Sequence, residues 1–129
     1  MAVWKSKIDS FEKEMKEMKN EIKKMEIKQF ANGKYQGELK GGKLDGLGIF
    51  CWNEGHRYEG EYKNNKREGK GIYYYANGNR FVGEYKNDKP QGKGIFYINN
   101  GNRFEGEYEQ GKGEGRGVFY WKNGDYEIG

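Results

Sequence analysis

At 129 residues the chain has the length of one domain, yet 33% of it is hydrophobic, half of that share is aromatic, and 22 residues are glycine. That leaves too little aliphatic volume for a two-layer core. The net charge of +4 is spread evenly, eight lysines against six acids in residues 1–28 and sixteen basic against fourteen acidic residues beyond, which excludes the clustered cationic footprint of a nucleic-acid binder. The lone cysteine, Cys51, excludes an intrachain disulfide and a thiol zinc site, and with no apolar run of 18 residues neither a signal peptide nor a membrane-spanning helix is expected.

The first expected element is a helix over residues 1–28. No glycine or proline interrupts it, and apolar residues recur as Trp4, Ile8, Phe11, Met15, Met18, Ile22 and Met25, at alternating spacings of four and three. This is the a/d seam of a coiled coil, with Ile8, Met15 and Ile22 at a and the others at d. Such a helix is marginal alone in water, so the stripe must be covered by a second copy, a partner's helix or the chain's own sheet. The short connection from Lys28 to Phe30 leaves little chain for a reversal, which favours pairing in trans, as a homodimer or with a partner, over docking in cis. The charges flanking the seam select neither a parallel nor an antiparallel pair.

Residues 29–34 look like the tail of a truncated unit, because Phe30-Ala31-Asn32-Gly33 repeats Tyr75-Ala76-Asn77-Gly78. Over residues 35–126 a 23-residue unit follows four times, and residues 127–129 begin another, incomplete one. Position 1 is Tyr35, Tyr58, Phe81 and Phe104, position 3 is glycine, and position 4 is Glu38, Glu61, Glu84 and Glu107. Position 5 is Leu39, Tyr62, Tyr85 and Tyr108, and positions 12 and 14 are glycine in every copy. Period-two alternation, aromatic enrichment and turn pairs such as Asn64-Asn65 and Asn77-Gly78 predict two strands per unit. The expected fold is mainly β: an elongated single-layer antiparallel sheet of repeated hairpins, preceded by one long amphipathic helix. At about 4.8 Å per strand, eight strands extend roughly 40 Å, about the length of the helix.

Centring the first turn between positions 8 and 9 sets Tyr62 opposite Gly69, Gly60 opposite Gly71, Tyr58 opposite Tyr73 and Glu61 opposite Lys70. The same register pairs Glu84 with Lys93 and Glu107 with Arg116, and leaves Glu38 facing Leu47 in need of another partner. A three- or five-residue loop between units then places Tyr73 beside Gly83 and Tyr85 beside Gly71. In either pairing the glycines are notches under rings.

No catalytic constellation emerges. Gly41-Gly42-Lys43 and Gly69-Lys70-Gly71 lack the spacing of a phosphate-binding loop and no helix follows them. His56 is the lone histidine and has no relay or metal partner. Successive glutamates of position 4 stand about 10 Å apart, and Cys51 reads as a small packing residue. No enzymatic activity, metal or cofactor is expected.

The pattern seen in Tyr58-Glu59-Gly60, Gly69-Lys70-Gly71 and Gly78, repeated over residues 35–126, resembles the MORN (membrane occupation and recognition nexus) repeat. The resemblance implies a twisted antiparallel sheet with one hairpin per repeat. It also implies a scaffold of the kind found in cilia, flagella, cytoskeletal structures or membrane junctions, commonly dimeric. Some relatives carry the repeats beside a lipid kinase or a methyltransferase domain, and lipid binding is proposed for the family. This chain departs at Leu39 and at Cys51, where later copies have tyrosine.

The expected function is a non-enzymatic scaffold in the cytoplasm that binds a protein segment along one aromatic face. Tyr35, Phe50, Trp52, Tyr58, Tyr73, Tyr75, Phe81, Phe96, Phe104, Phe119 and Trp121 share that face with the glycines. The alternative is a peripheral membrane module, in which Lys43, Lys66, Lys89 and Lys112 at the hairpin tips form a cationic row for weak adhesion to anionic lipid. A third reading makes the repeats an accessory arm of a larger enzyme.

Overall fold

The structure, a computed structural model, describes residues 3–129, with the side-chain surroundings of residues 3, 4, 114 and 115 outside the description. One helix, α1 (Val3–Ile22), precedes ten strands: β1 (Ile27–Phe30), β2 (Gly33–Lys40), β3 (Lys43–Trp52), β4 (Arg57–Lys63), β5 (Lys66–Tyr74), β6 (Arg80–Lys86), β7 (Lys89–Tyr97), β8 (Arg103–Glu109), β9 (Lys112–Tyr120) and β10 (Tyr126–Ile128). They lie in sequence order in a single antiparallel sheet. The repeats supply the eight expected strands, the truncated units at either end supply β1 and β10, and the mainly β, single-sheet class is as expected.

Two kinds of turn produce this order. Along one edge the hairpins close through Gly41-Gly42, Asn64-Asn65, Asn87-Asp88 and Gln110-Gly111, with positive φ at both residues of each pair (49° and 69° at Asn64 and Asn65). That geometry matches the twist of the strands and is open to Gly, Asn and Asp. Along the other edge five residues, for example 75–79, join Tyr74 to its pairing partner Arg80, while at the β1 end Ala31-Asn32 alone join Phe30 to Gly33. The Tyr75 N–H donates to the Asn79 carbonyl at 2.9 Å to close that loop.

Neighbouring turns are also tied to each other. The Asn65 N–H donates to the Leu44 carbonyl at 2.9 Å and the Asp88 N–H to the Arg67 carbonyl at 3.1 Å. On the far edge Asn79 and Asn102 accept from the amides of Asn99 and Lys122 at 2.9 and 2.8 Å, and His56 Nδ1 accepts from the Ala76 amide at 3.0 Å. His56 thus takes the role of the asparagine that holds its column in later copies.

Within each hairpin the expected register holds away from the tips and fails near them. Gly60 faces Gly71 and Tyr58 faces Tyr73, but Tyr62 faces Arg67 rather than Gly69, with the register shifting between Gly60 and Tyr62. The two-residue turn fixes Lys63 opposite Lys66, and a bulge on the return strand, with Gly69 at φ 84°, restores the outer register. Between repeats Tyr73 pairs with Phe81, Gly71 with Gly83 and Tyr85 with Gly69, two residues away from the expected pairing of Tyr73 with Gly83 and Tyr85 with Gly71. Position 4 is corrected in consequence. The carboxylates of Glu38, Glu61 and Glu84 accept from the backbone amides of Leu47 (2.8 Å), Lys70 (2.6 Å) and Lys93 (3.4 Å), capping the bulge. Glu84 pairs across to Lys70, and Glu107 forms its ion pair with Lys93 rather than Arg116. The hydrogen bond and charge of Lys93 lower the pKa of Glu107.

The helix docks in cis. Ile8, Phe11, Met15 and Ile22 are buried against Ile49, Ile72, Val82 and Ile95 on one face of the sheet, where Cys51 packs as the small residue expected. Burial of such side chains contributes about 1.5–3 kcal/mol each. Two corrections follow for the expected seam. Met18 is exposed because a straight helix drifts about 20° per heptad from a strict seven-residue seam and its sheet-facing stripe passes through Glu12 and Lys19 instead, and Met25 is exposed because it lies beyond the end of the helix. The helix also ends at Ile22, six residues before its expected limit, and the reversal is made by residues 23–26. Gln36 Nε2 secures that reversal, donating to the carbonyls of Lys23 (3.0 Å) and Met25 (2.7 Å). Trp4, the remaining seam residue, lies outside the described side chains.

Two polar contacts set the helix's position on the sheet. Lys19 Nζ lies 2.9 Å from the carboxylate of Glu59, which is 2% exposed and also accepts from Arg57 Nε at 2.8 Å. Arg80 Nε meets Glu12 at 2.9 Å while its guanidinium stacks on Tyr97 at 3.8 Å.

Candidate functional site: an aromatic face and a lysine edge

The face opposite α1 is built from the repeat columns. Position 14 glycines lie beneath the position 1 rings: a Cβ on Gly48, Gly71, Gly94 or Gly117 would collide with Tyr35, Tyr58, Phe81 or Phe104 respectively. This close approach, rather than backbone strain, is why glycine occupies these positions. The position 5 tyrosines stand edge-on between these rings. Tyr35, Tyr62, Tyr58, Tyr85, Phe81, Tyr108 and Phe104 form one continuous chain of T-shaped contacts, with centroids 4.8–6.3 Å apart. The hydroxyls of Tyr35 and Tyr58 donate to the carbonyls of Glu38 and Glu61 at 2.7 and 2.9 Å, so both rings are buried with their polar ends satisfied.

This chain of rings forms a floor. Tyr58 is 0% exposed, and Tyr35 and Phe81 are nearly so, which removes three of the expected contact residues from the surface. Burial pushes the phenols of Tyr35, Tyr58, Tyr62 and Tyr85 well above the ordinary tyrosine range, and that of Tyr108 up to about 12.

A second row lies along the loop side of the same face and is half open. Phe50, Trp52, Tyr73, Tyr75 and Phe96 follow one another at centroid distances of 4.6, 5.4, 4.7 and 5.7 Å. Phe119 and Trp121 continue the row at 4.7 Å beyond Ile98. Phe50 is buried, whereas Tyr75 and Trp121 are 36% and 40% exposed. The fold therefore brings the expected aromatic residues to one face, and divides them into a floor, buried from Tyr35 to Tyr85 and half-buried at Phe104 and Tyr108, and a rim that is accessible beyond Phe50.

Column reasoning missed two features of this face. Tyr62, Tyr85 and Tyr108 belong to the floor, as their even spacing from position 1 implies. Arg67 stands in the middle of the face, its guanidinium 5.3–5.9 Å from the rings of Tyr85, Tyr73, Tyr58 and Trp52. It is an even number of residues from Tyr73, which was signal enough, but its column holds Leu44, Pro90 and Gly113 elsewhere and so drew no attention.

The tip edge carries Lys43, Lys66, Lys89 and Lys112, as expected. Cross-strand pairing sets Lys40 opposite Lys43, Lys63 opposite Lys66 and Lys86 opposite Lys89. All seven are exposed, and among the described residues none is in an ion pair, because nearby acids hold other groups. Asp45 and Glu68 lie 3.4 and 3.3 Å from the Asn64 and Asn87 amides, and Asp88 accepts from the Arg67 amide at 2.8 Å. Among the described residues no group of three or more His, Cys, Asp or Glu could hold a metal ion, and no helix is long and apolar enough to cross a membrane.

A single-layer sheet of stacked hairpins, floored by rings over glycines and open along one aromatic rim, is a linear repeat platform. The MORN repeat model matches residues 35–57, 58–80, 81–103 and 104–126, and the chain belongs to the MORN repeat family. These are generally protein- or membrane-interaction repeats and form a non-catalytic module. No curated protein matches the sequence.

Proposed function

We propose that the chain is a non-enzymatic scaffold that binds an extended or helical segment of a partner protein along the rim of Trp52, Tyr73, Tyr75 and Phe96. One observation carries this reading: α1 covers the aliphatic face in cis, while the aromatic face keeps a contiguous row of half-open rings above a closed floor. Rigid rings gain contact area at little entropic cost, and the floor holds them in place. The proposed setting is a cytoplasmic assembly of the cytoskeletal, ciliary or membrane-junction kind. The test is capture from cell extract by the full chain. Partners retained by the parent should be lost when Tyr73, Tyr75 and Phe96 become serine and kept when the tip lysines become glutamate. The opposite pattern would remove the aromatic rim from the function.

A specific observation favours a second reading, adhesion to an anionic membrane by the tip edge. Three like-charge cross-strand lysine pairs cost stability, and an anionic surface would relieve that repulsion. Flotation with phosphatidylserine vesicles at about 0.15 M salt, where screening acts beyond about 8 Å, measures it. Binding abolished by Lys43, Lys66, Lys89 and Lys112 to Glu would establish the edge as a membrane contact.

A further inference from the structure

The rim is nearly degenerate along its length. Because the unit recurs every 23 residues, a purely apolar segment could seat on one repeat or the next with little difference. Arg67 breaks that degeneracy. Its equivalents are Leu44, Pro90 and Gly113, and among the described residues another cation on this face, Lys28, lies at the β1 end over Phe30, with its ammonium donating to the Gly42 carbonyl at 2.7 Å.

Arg67 is held in place but not fully engaged. Its Nε donates to Asp88 Oδ1 at 3.2 Å and its Nη2 to the Asp88 carbonyl at 2.7 Å. A guanidinium has five N–H groups; the remaining three meet no acceptor among the described residues, and the side chain is 22% exposed. Four rings around it lower the local dielectric, which strengthens any charge-assisted bond formed there. Beside it lies a depression walled by Leu44, Phe50 and Trp52, with Arg67 and Asp88 among its lining residues.

We infer that the segment bound on the aromatic rim is acidic at one defined point, where a Glu or Asp side chain takes the free N–H groups of Arg67 while an adjacent large apolar side chain fills the depression beside Leu44. Arg67 then fixes the register and direction of a partner on an otherwise repetitive surface, as a single polar residue does in a coiled-coil seam. The inference rests on the proposed use of the aromatic rim for protein segments. Asp88 is already committed to Arg67 and holds it pointed at the face, so its charge limits the affinity gained without occupying the free donors.

The experiment selects phage-displayed random 16-residue peptides on the full chain, with Arg67→Leu and the pair Trp52→Ser/Tyr75→Ser as parallel baits, each first checked by thermal melting. Leucine is the residue that the first repeat carries in this column, so the fold accommodates it. Peptides from the parent should share a carboxylate at a fixed offset from a bulky apolar residue. For the best peptide, Glu→Gln should weaken binding about ten- to hundredfold. Arg67→Leu should weaken the Glu peptide equally and leave the Gln peptide unchanged, so that the two losses are not additive. Peptides lacking a shared carboxylate, or additive losses, overturn the role of Arg67, and the scaffold reading survives if the Trp52/Tyr75 bait loses them. No selected peptides, or peptides indifferent to Trp52 and Tyr75, overturn both. Arg67→Leu abolishing adhesion to phosphatidylserine vesicles, with no acidic peptide selected, would assign the anion to a lipid headgroup and overturn the inference.

Discussion

The two faces of this sheet solve one problem in different ways. A single layer of strands has no second sheet to bury its side chains. On one face Ile49, Ile72, Val82 and Ile95 are too short to cover one another, and a separate element, α1, is laid across them. On the other face the side chains are long and flat and cover one another, with glycines beneath to let them lie down. The first face is finished when the helix docks. The second has a finished floor and an unfinished rim, which is why function is proposed there.

If α1 is the cover of the aliphatic face, removing its grip should give the largest effect. Changing Ile8, Met15 and Ile22 together to Asp puts charges where apolar groups were buried, and should cost on the order of 5 kcal/mol or more. The melting temperature should collapse while the parent remains a monomer by light scattering. The variant should associate more than the parent, since the freed sheet face is apolar. A dimeric parent that the triple change converts to a well-folded monomer would return the helix to the trans role read from its seam.

The aromatic face should be the more sensitive to alkaline titration, although burial also raises the phenols of Tyr74 and Tyr97 beside the aliphatic cluster. Burial raises the folded-state pKa values of Tyr35, Tyr58, Tyr62 and Tyr85. For a group whose pKa is raised on folding, the stability is fully present below the unfolded value, about 10 for tyrosine, and is lost as pH rises towards the folded value. Melting temperature should therefore be flat with respect to these groups up to about pH 10 and fall steeply above it. Absorbance at 295 nm should show their ionisation coinciding with unfolding. Free titration of all tyrosines near pH 10 in a folded chain would contradict the floor described here.

A Gly71→Val change tests the notch directly, at an intermediate scale. The new side chain meets the ring of Tyr58 and should cost about 1–3 kcal/mol by overpacking. The same change at Gly42, a tip residue with nothing within 4 Å of the place a Cβ would take, meets no neighbour and costs only through its φ of 79°. Equal destabilisation at the two sites would mean that conformation, not close approach, explains the glycine columns.

Much of the floor was legible because it repeats. The columns of rings and glycines, the hairpins and the outer register all follow from period-two alternation at a 23-residue spacing. The bulge was not, because the turn chemistry of Asn64-Asn65 and the pairing of Gly60 with Gly71 demand different registers and only an irregular return strand reconciles them. Docking of α1 in cis was hidden by its length. Over three heptads a seven-residue seam and a straight helical stripe share Ile8, Phe11, Met15 and Ile22, and differ chiefly at Met18. No glycine or proline in Lys23-Lys24-Met25-Glu26 marks the reversal. Arg67 was missed for the opposite reason, since attention to what recurs passes over a column in which no residue repeats.

The smallest expected effect separates the ways in which the faces use charge. On the helix side the pair of Glu12 and Arg80, at 2.9 Å and partly exposed, ties α1 to β6. A pair in that setting contributes about 0.5–1 kcal/mol. A double-mutant cycle with Glu12→Gln and Arg80→Met should return a coupling of that size, reduced in 0.5 M salt, and both single variants should loosen the helix without altering the rim. Removal of Arg80 also takes a cation from the face of Tyr97, so the single Arg80 change should cost more than the Glu12 change while the coupling isolates the ion pair. A coupling of zero would mean that α1 is held without help from this pair, by contacts that include the buried Ile8, Phe11, Met15 and Ile22 and Lys19 on Glu59, and that the Glu12 pair reports the helix's position without fixing it.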